Sequence, residues 1–113
     1  MDKKLSVELL ATAERELEEI ANVHMNLVGP ISARNITESI YNSIEKLEIF
    51  PEMGVVCKDK ELATTGFRML VSGNYLCFYR TIGSVIYVYH IVDGRTNYPK
   101  MFSGLLNKTK EQQ

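Results

Sequence analysis

Two dense runs of aromatic and β-branched residues, 75–81 and 85–92, are separated only by Ile82 and the turn signal Gly83-Ser84. Such runs favour extended backbone, and so short a connection forces the two to pair antiparallel. Just upstream, Phe67, Met69 and Val71 alternate with Arg68 and Leu70, and the turn signal Ser72-Gly73-Asn74 leads into Tyr75. Three strands joined by two tight turns make an antiparallel meander. The run 85–92 is apolar on both sides, which suits a central strand, and Asp93-Gly94 ends it.

The first half has a different period. Leu5, Val7 and Leu9 alternate with Ser6 and Glu8, a short strand over residues 3 to 9. From Thr12 the spacing becomes three and four, with Ala13, Leu17, Ile20, His24 and Leu27 on one stripe of a helix. Glu14, Glu16, Glu18 and Glu19 crowd its first turns, where the helix dipole favours carboxylates. Gly29-Pro30 ends it. A second helix starting near Ser32 carries Ala33, Ile36, Ile40, Ile44 and Leu47 and stops at Pro51. Helices joined by so few residues pack antiparallel or nearly so. Residues 51 to 65 show no period and read as an irregular, exposed connection. Residues 98 to 107 can form a short terminal helix, and the polar tail from Lys108 frays.

The expected fold is therefore α+β, in the order β-α-α-β-β-β, with a helical hairpin packed on one face of a small antiparallel sheet. The 113 residues fit a single domain, 1–113. No apolar run approaches the roughly 20 residues that span a bilayer, so the expectation is a cytoplasmic protein with no membrane partner.

Thirteen Lys and Arg against fourteen Asp and Glu give a net charge of −1, which excludes a uniformly basic nucleic-acid binder. The balance is uneven. Residues 1–54 hold five basic and ten acidic residues, and residues 55–113 hold eight basic and four acidic. An acidic helical half is thus set against a basic sheet half. With helices on one sheet face, the other is the expected place for the basic side chains.

Candidate residues follow from that placement. Arg68, Arg80 and Arg95 sit on or just after strands of one small sheet. Each alone is most simply a solvated arginine; together they suggest a cationic patch for phosphate or acidic side chains, bordered by Lys58 and Lys60. His90 falls in phase with Ile86, Val88 and Val92, and is either a hydrogen-bonded histidine at a sheet surface or part of a site. Tyr98 either stacks on a base or packs under the terminal helix, packing being the expectation. His24, on the apolar stripe, reads as a partly buried packing histidine. Cys77 reads as a small buried hydrophobe. Cys57 reads as a loop position, with a reactive thiol as the other option. No spacing suggests a metal site, and no cofactor is expected.

The segment Gly66-Phe67-Arg68-Met69-Leu70-Val71-Ser72-Gly73-Asn74-Tyr75-Leu76-Cys77-Phe78-Tyr79-Arg80, with Ile91-Val92-Asp93-Gly94-Arg95 after it, resembles the RelE/ParE superfamily of bacterial type II toxin–antitoxin modules. Leu47-Glu48-Ile49-Phe50-Pro51-Glu52-Met53-Gly54 looks like that family's L-x-x-F-P-x-x-G junction. The resemblance spans roughly residues 4 to 102 and implies a growth-inhibiting, plasmid-stabilising type of toxin held inactive by a cognate antitoxin. RelE-like members cleave mRNA on the ribosome; ParE-like members bind and inhibit DNA gyrase without catalytic residues. RelE-like nucleases tend to carry an arginine where this chain has Leu76, and lysines where it has Phe67 and Met69. Residues 74–80 are closer to the ParE-like pattern. That pattern often closes with R-I-L-H-G-R-R-D, and here His90, Asp93, Thr96 and Asn97 depart from it. The resemblance thus implies a gyrase-binding toxin with Arg68, Arg80, His90, Arg95, Lys58 and Lys60 as target contacts. The alternative is a ribosome-dependent endoribonuclease in which His90 and Tyr98 serve as base and acid beside Arg95.

Overall fold

A computed structural model describes residues 5–102. Strand β1 (Ser6–Leu9) leads into helix α1 (Ala11–Leu27) and helix α2 (Pro30–Glu45), which a 3-10 turn extends over Lys46–Glu48. Then come β2 (Val55–Val56), a short helix α3 (Lys60–Thr64), and the meander β3 (Arg68–Ser72), β4 (Tyr75–Ile82) and β5 (Val85–Asp93). Residues 98–102 are helical and form α4; the rest of the expected helix 98–107 lies outside the described residues.

Gly29 separates the two long helices with φ at 137°, a conformation that side chains rarely adopt. Pro30 follows in the first turn of α2, where its missing N–H is no loss. The hairpin therefore turns two residues earlier than the Ser32 expected from the apolar stripe.

The five strands run in the order β1-β5-β4-β3-β2. β1 pairs parallel with β5, because the helical hairpin carries the chain back over the sheet before the meander begins. All other pairs are antiparallel. The long apolar run of β5 is an interior strand, flanked by β1 and β4.

The hairpin packs on one sheet face. Leu17, Ile40, Ile44 and Leu47 meet Leu70, Cys77, Tyr79, Ile86, Val88 and Ile91 in a first core. The opposite face departs from expectation. It carries a second core of Cys57, Leu62, Phe67, Phe78 and Phe102, with Met69, Leu76, Tyr89 and Val92 packed against it. Both sheet faces are therefore covered, and no open face is left for a basic patch.

The cover comes from segments too short to show a period. Residues 51–65 are not an irregular exposed connection. They hold edge strand β2 and helix α3, whose start is capped by the Asp59 carboxylate accepting from Leu62 N at 3.0 Å. One apolar side chain, Leu62, anchors α3, and Phe102 anchors α4; both are fully buried.

A bulge between Phe78 and Tyr79 on one side and β5 on the other inserts Tyr89 as an extra residue. It shifts His90 out of phase with Ile86 and Val88. Ile91 takes the place on the first core, while His90 sets its ring 4.9 Å from that of Phe102.

Candidate functional site

The three arginines do not converge. Arg68 turns to the 51–54 corner, where Nη1 donates to the Gly54 carbonyl at 2.7 Å and the Glu52 carbonyl at 3.4 Å. Arg80 lies over the second core. Its guanidinium carbon is 5.3 Å from the Phe67 ring centre and 5.2 Å from that of Tyr89, and Nε donates to the Tyr89 hydroxyl at 2.7 Å. Arg80 also reaches the Thr65 carbonyl just after α3, at 3.5 Å. Exposed Lys58 and Lys60 flank the start of α3, the short helix whose following residue, Thr65, Arg80 reaches.

Arg95 sits at the other end of the sheet. Arg80 pairs across from Tyr87 and Tyr75 from Asp93, a separation of about 17 Å along β4 at the usual rise per residue. Arg95 forks onto Asp93, with Nε to Oδ1 at 3.0 Å and Nη2 to Oδ2 at 3.3 Å, while its side chain stays 92% exposed. These hydrogen bonds hold the Asp93 carboxyl below its ordinary pKa and push the Arg95 guanidinium up. The pair rims an open cleft of 590 Å³ that Val71, Asn74, Leu76 and Gly94 also line. Gly94 N donates to the Asn74 carbonyl at 2.8 Å, closing the β3–β4 turn against the end of β5.

The proposed acid and base, Tyr98 and His90, both pack against the aromatic rings of the second core. Tyr98 packs its ring 4.9 Å from Phe78, inside the second core. His90 is held from the other side: its Nδ1 lies 3.1 Å from Glu16 Oε1 and 3.2 Å from Oε2. Glu16 Oε1 also accepts from Ile91 N at 3.0 Å. β1 has already left the edge of β5 at this point, so α1 covers the bare edge with one carboxylate. Sequence reasoning placed Glu16 among the dipole carboxylates and missed this role. The available signal was its spacing: three residues after Ala13 and four before Ile20, on the inward stripe.

His24 is half-buried, as its stripe position suggested, and it is hydrogen-bonded on both ring nitrogens, to Ser32 and to Tyr75. Among the described residues no group of His, Cys, Asp and Glu could hold a metal ion, and no helix is long and apolar enough to cross a membrane.

Both cysteines are buried. Cys57 lies in the loop between β2 and α3, as expected, but it is buried there: its thiol is pushed up by burial and by the nearby Asp59 charge. Burial lifts the Cys77 thiol from 9.0 to about 12. Thiolate is the reactive form, so neither thiol is expected to react with a disulfide reagent in the native protein at neutral pH, and both should react once it is unfolded. Because the folded-state pKa is raised, the stabilisation linked to the Cys77 proton is present below 9.0 and is lost as pH climbs towards about 12. Stoichiometric labelling of the folded chain would contradict the buried placement.

A helical hairpin packed on a small, mostly antiparallel sheet is a small α+β architecture. The sequence model described as "ParE toxin of type II toxin-antitoxin system, parDE" matches residues 7–98. This chain belongs to the ParE toxin family. Among solved structures, a chain of the chromosomal ParDE toxin–antitoxin system from P. aeruginosa has the same fold, with a TM-score of 0.69 at 19% identity over 81% of this chain and 98% of that one. No curated protein matches significantly.

Proposed function

We propose that this toxin acts by binding and inhibiting DNA gyrase, and that a cognate antitoxin neutralises it. The observation that carries the reading is the second core. Leu76, Phe67 and Met69 occupy positions where RelE-like nucleases tend to carry an arginine and lysines, and here Phe67 is buried in the second core while Met69 and Leu76, partly buried, pack against it. A cleavage site must stabilise charge that develops on phosphate; apolar side chains there supply none. A binding mechanism needs only exposed, pre-oriented contacts, and Arg95 on its Asp93 fork is the best supported of them. Arg80, Lys58 and Lys60 form a separate contact at the opposite sheet end, while Arg68 and His90 act in this reading by holding the surfaces in place.

The antitoxin is expected to lay an amphipathic helix on the acidic hairpin, whose tip exposes Leu27, Val28 and Ile31 at 75% or more. Purified toxin should block gyrase supercoiling, and Arg95→Ala should weaken the block about tenfold, the size of one lost charge contact of ~1.4 kcal/mol. Normal supercoiling at excess wild-type toxin would reject the reading. Cuts in ribosome-bound message in a translation extract would point instead to the nuclease class.

A further inference from the structure

One cluster outside the sheet surfaces joins three elements. His24 lies in the last turn of α1, Ser32 in the first turn of α2, and Tyr75 opens β4. Ser32 Oγ is 3.1 Å from His24 Nδ1, and His24 Nε2 is 3.1 Å from the Tyr75 hydroxyl. A hydroxyl against an imidazole nitrogen, with the other nitrogen held by a third polar group, is the arrangement that activates a serine nucleophile. His24 and Ser32 stand eight residues apart across the hairpin turn, and the return of β4 brings in Tyr75 from 51 residues beyond His24.

Both His24 and Ser32 line an open cleft of 540 Å³, together with Val28, Ile31 and Asn35 among others. Val28 and Ile31 are each 75% exposed and give it apolar walls. No side chain caps α2, because its N-cap residue is Gly29, and the first bond within the helix is Ala33 N to the Gly29 carbonyl. The Ile31 and Ser32 amides therefore have no acceptor within the helix. Both amides belong to the same first turn of α2 as Ser32.

We propose that Ser32 is a nucleophile that takes short, uncharged carboxylic esters into this cleft, with His24 as its base and Tyr75 as the positioning residue. Ser32 Oγ attacks the ester carbonyl carbon while its proton passes to His24 Nδ1. The bond to the alcohol oxygen breaks, and the leaving alkoxide takes that proton. Water then attacks the acylated Ser32, giving its proton to Nδ1. The carboxylic acid leaves and Ser32 Oγ recovers the proton. No redox partner or metal is required. The apolar walls suit acetyl and butyryl groups. The site does not depend on whether the toxin's target is gyrase.

The test uses the full chain. A fluorophosphonate probe, with the labelled peptide identified by mass, should mark Ser32 once per folded molecule and not after unfolding in urea. Hydrolysis of p-nitrophenyl acetate and butyrate should fall to buffer level in Ser32→Ala. His24→Gln should slow labelling on the order of 100-fold, the usual contribution of a general base. Tyr75→Phe should slow it less, and circular dichroism checks that each variant is folded. If Ser32→Ala fails to fold, Ser32→Cys serves instead: with both native thiols buried, alkylation by iodoacetamide should fall on position 32 and drop with His24→Gln. Absence of label on folded wild type, label on another residue, wild-type hydrolysis in Ser32→Ala, or rates indifferent to His24 would each overturn the proposal.

Discussion

Gly54→Ala is expected to destabilise the protein by about 3 kcal/mol, the upper part of the range for overpacking a tight interior site. A Cβ at this position would lie 2.7 Å from the Tyr79 hydroxyl oxygen, 2.8 Å from its ring carbon Cε1 and 2.9 Å from the Met69 carbonyl. None of these neighbours can give way cheaply. Tyr79 is fully buried, its hydroxyl donates to the Pro51 carbonyl at 2.7 Å and accepts from Gly54 N at 3.0 Å. The Met69 carbonyl belongs to β3, which is paired with β2 across Val55. The glycine of the F-P-x-x-G junction is thus required by the close approach of a tyrosine, not by a special backbone angle. Tyr79→Phe alone should cost about 1–2 kcal/mol, since it leaves the Gly54 N–H and the Pro51 carbonyl without their partner. The double variant should be less unstable than the sum of the two, because removing the hydroxyl relieves part of the clash. Urea unfolding midpoints at constant slope check all three. A Gly54→Ala change within 0.5 kcal/mol of wild type, on the order of an ordinary surface substitution, would refute the crowding.

Phe102→Ala is the second large effect expected, about 3 kcal/mol from lost burial and the cavity left behind. The ring is fully buried and lies 5.0 Å from Phe67, 5.3 Å from Phe78 and 4.9 Å from His90. A helix as short as α4 has no stability of its own and exists only through such anchoring. Its loss should uncover Phe78 and Leu76, raise binding of a hydrophobic dye, and lower the melting temperature on the order of 12 °C. The change should also free His90 on one side while Glu16 still holds it on the other. A melting temperature within a few degrees of wild type would show that the second core does not depend on α4.

These two predictions concern different levels of legibility. Gly54 was visible in the sequence as part of a family junction, but its cause was not, since Tyr79 lies 25 residues away. Phe102 gave no signal, because one aromatic in a short segment has no period to read. The arginines were found as residues and misplaced as a group. Alternation put Arg68, Arg80 and Arg95 on one sheet, but strand register, the Arg80 stacking on Phe67 and Tyr89, and the Asp93 fork separate them. His90 was singled out for interrupting an apolar strand, and the bulge at Tyr89 then moved it to the other face.

Regular elements long enough to show a repeat were determined by the sequence alone. The two helices repeat at three and four residues, the meander strands are β-rich, and Gly-Ser and Gly-Asn turns leave too little chain for any pairing except antiparallel. Only the tertiary structure decided the parallel seat of β1, the apolar cover on the second sheet face, and the partners of Glu16, His24 and Gly54. A repeat reports which side of an element is apolar. It carries no information about closure, in which groups up to 75 residues apart, such as Glu16 and the Ile91 amide, meet because burial leaves each polar group no cheaper partner.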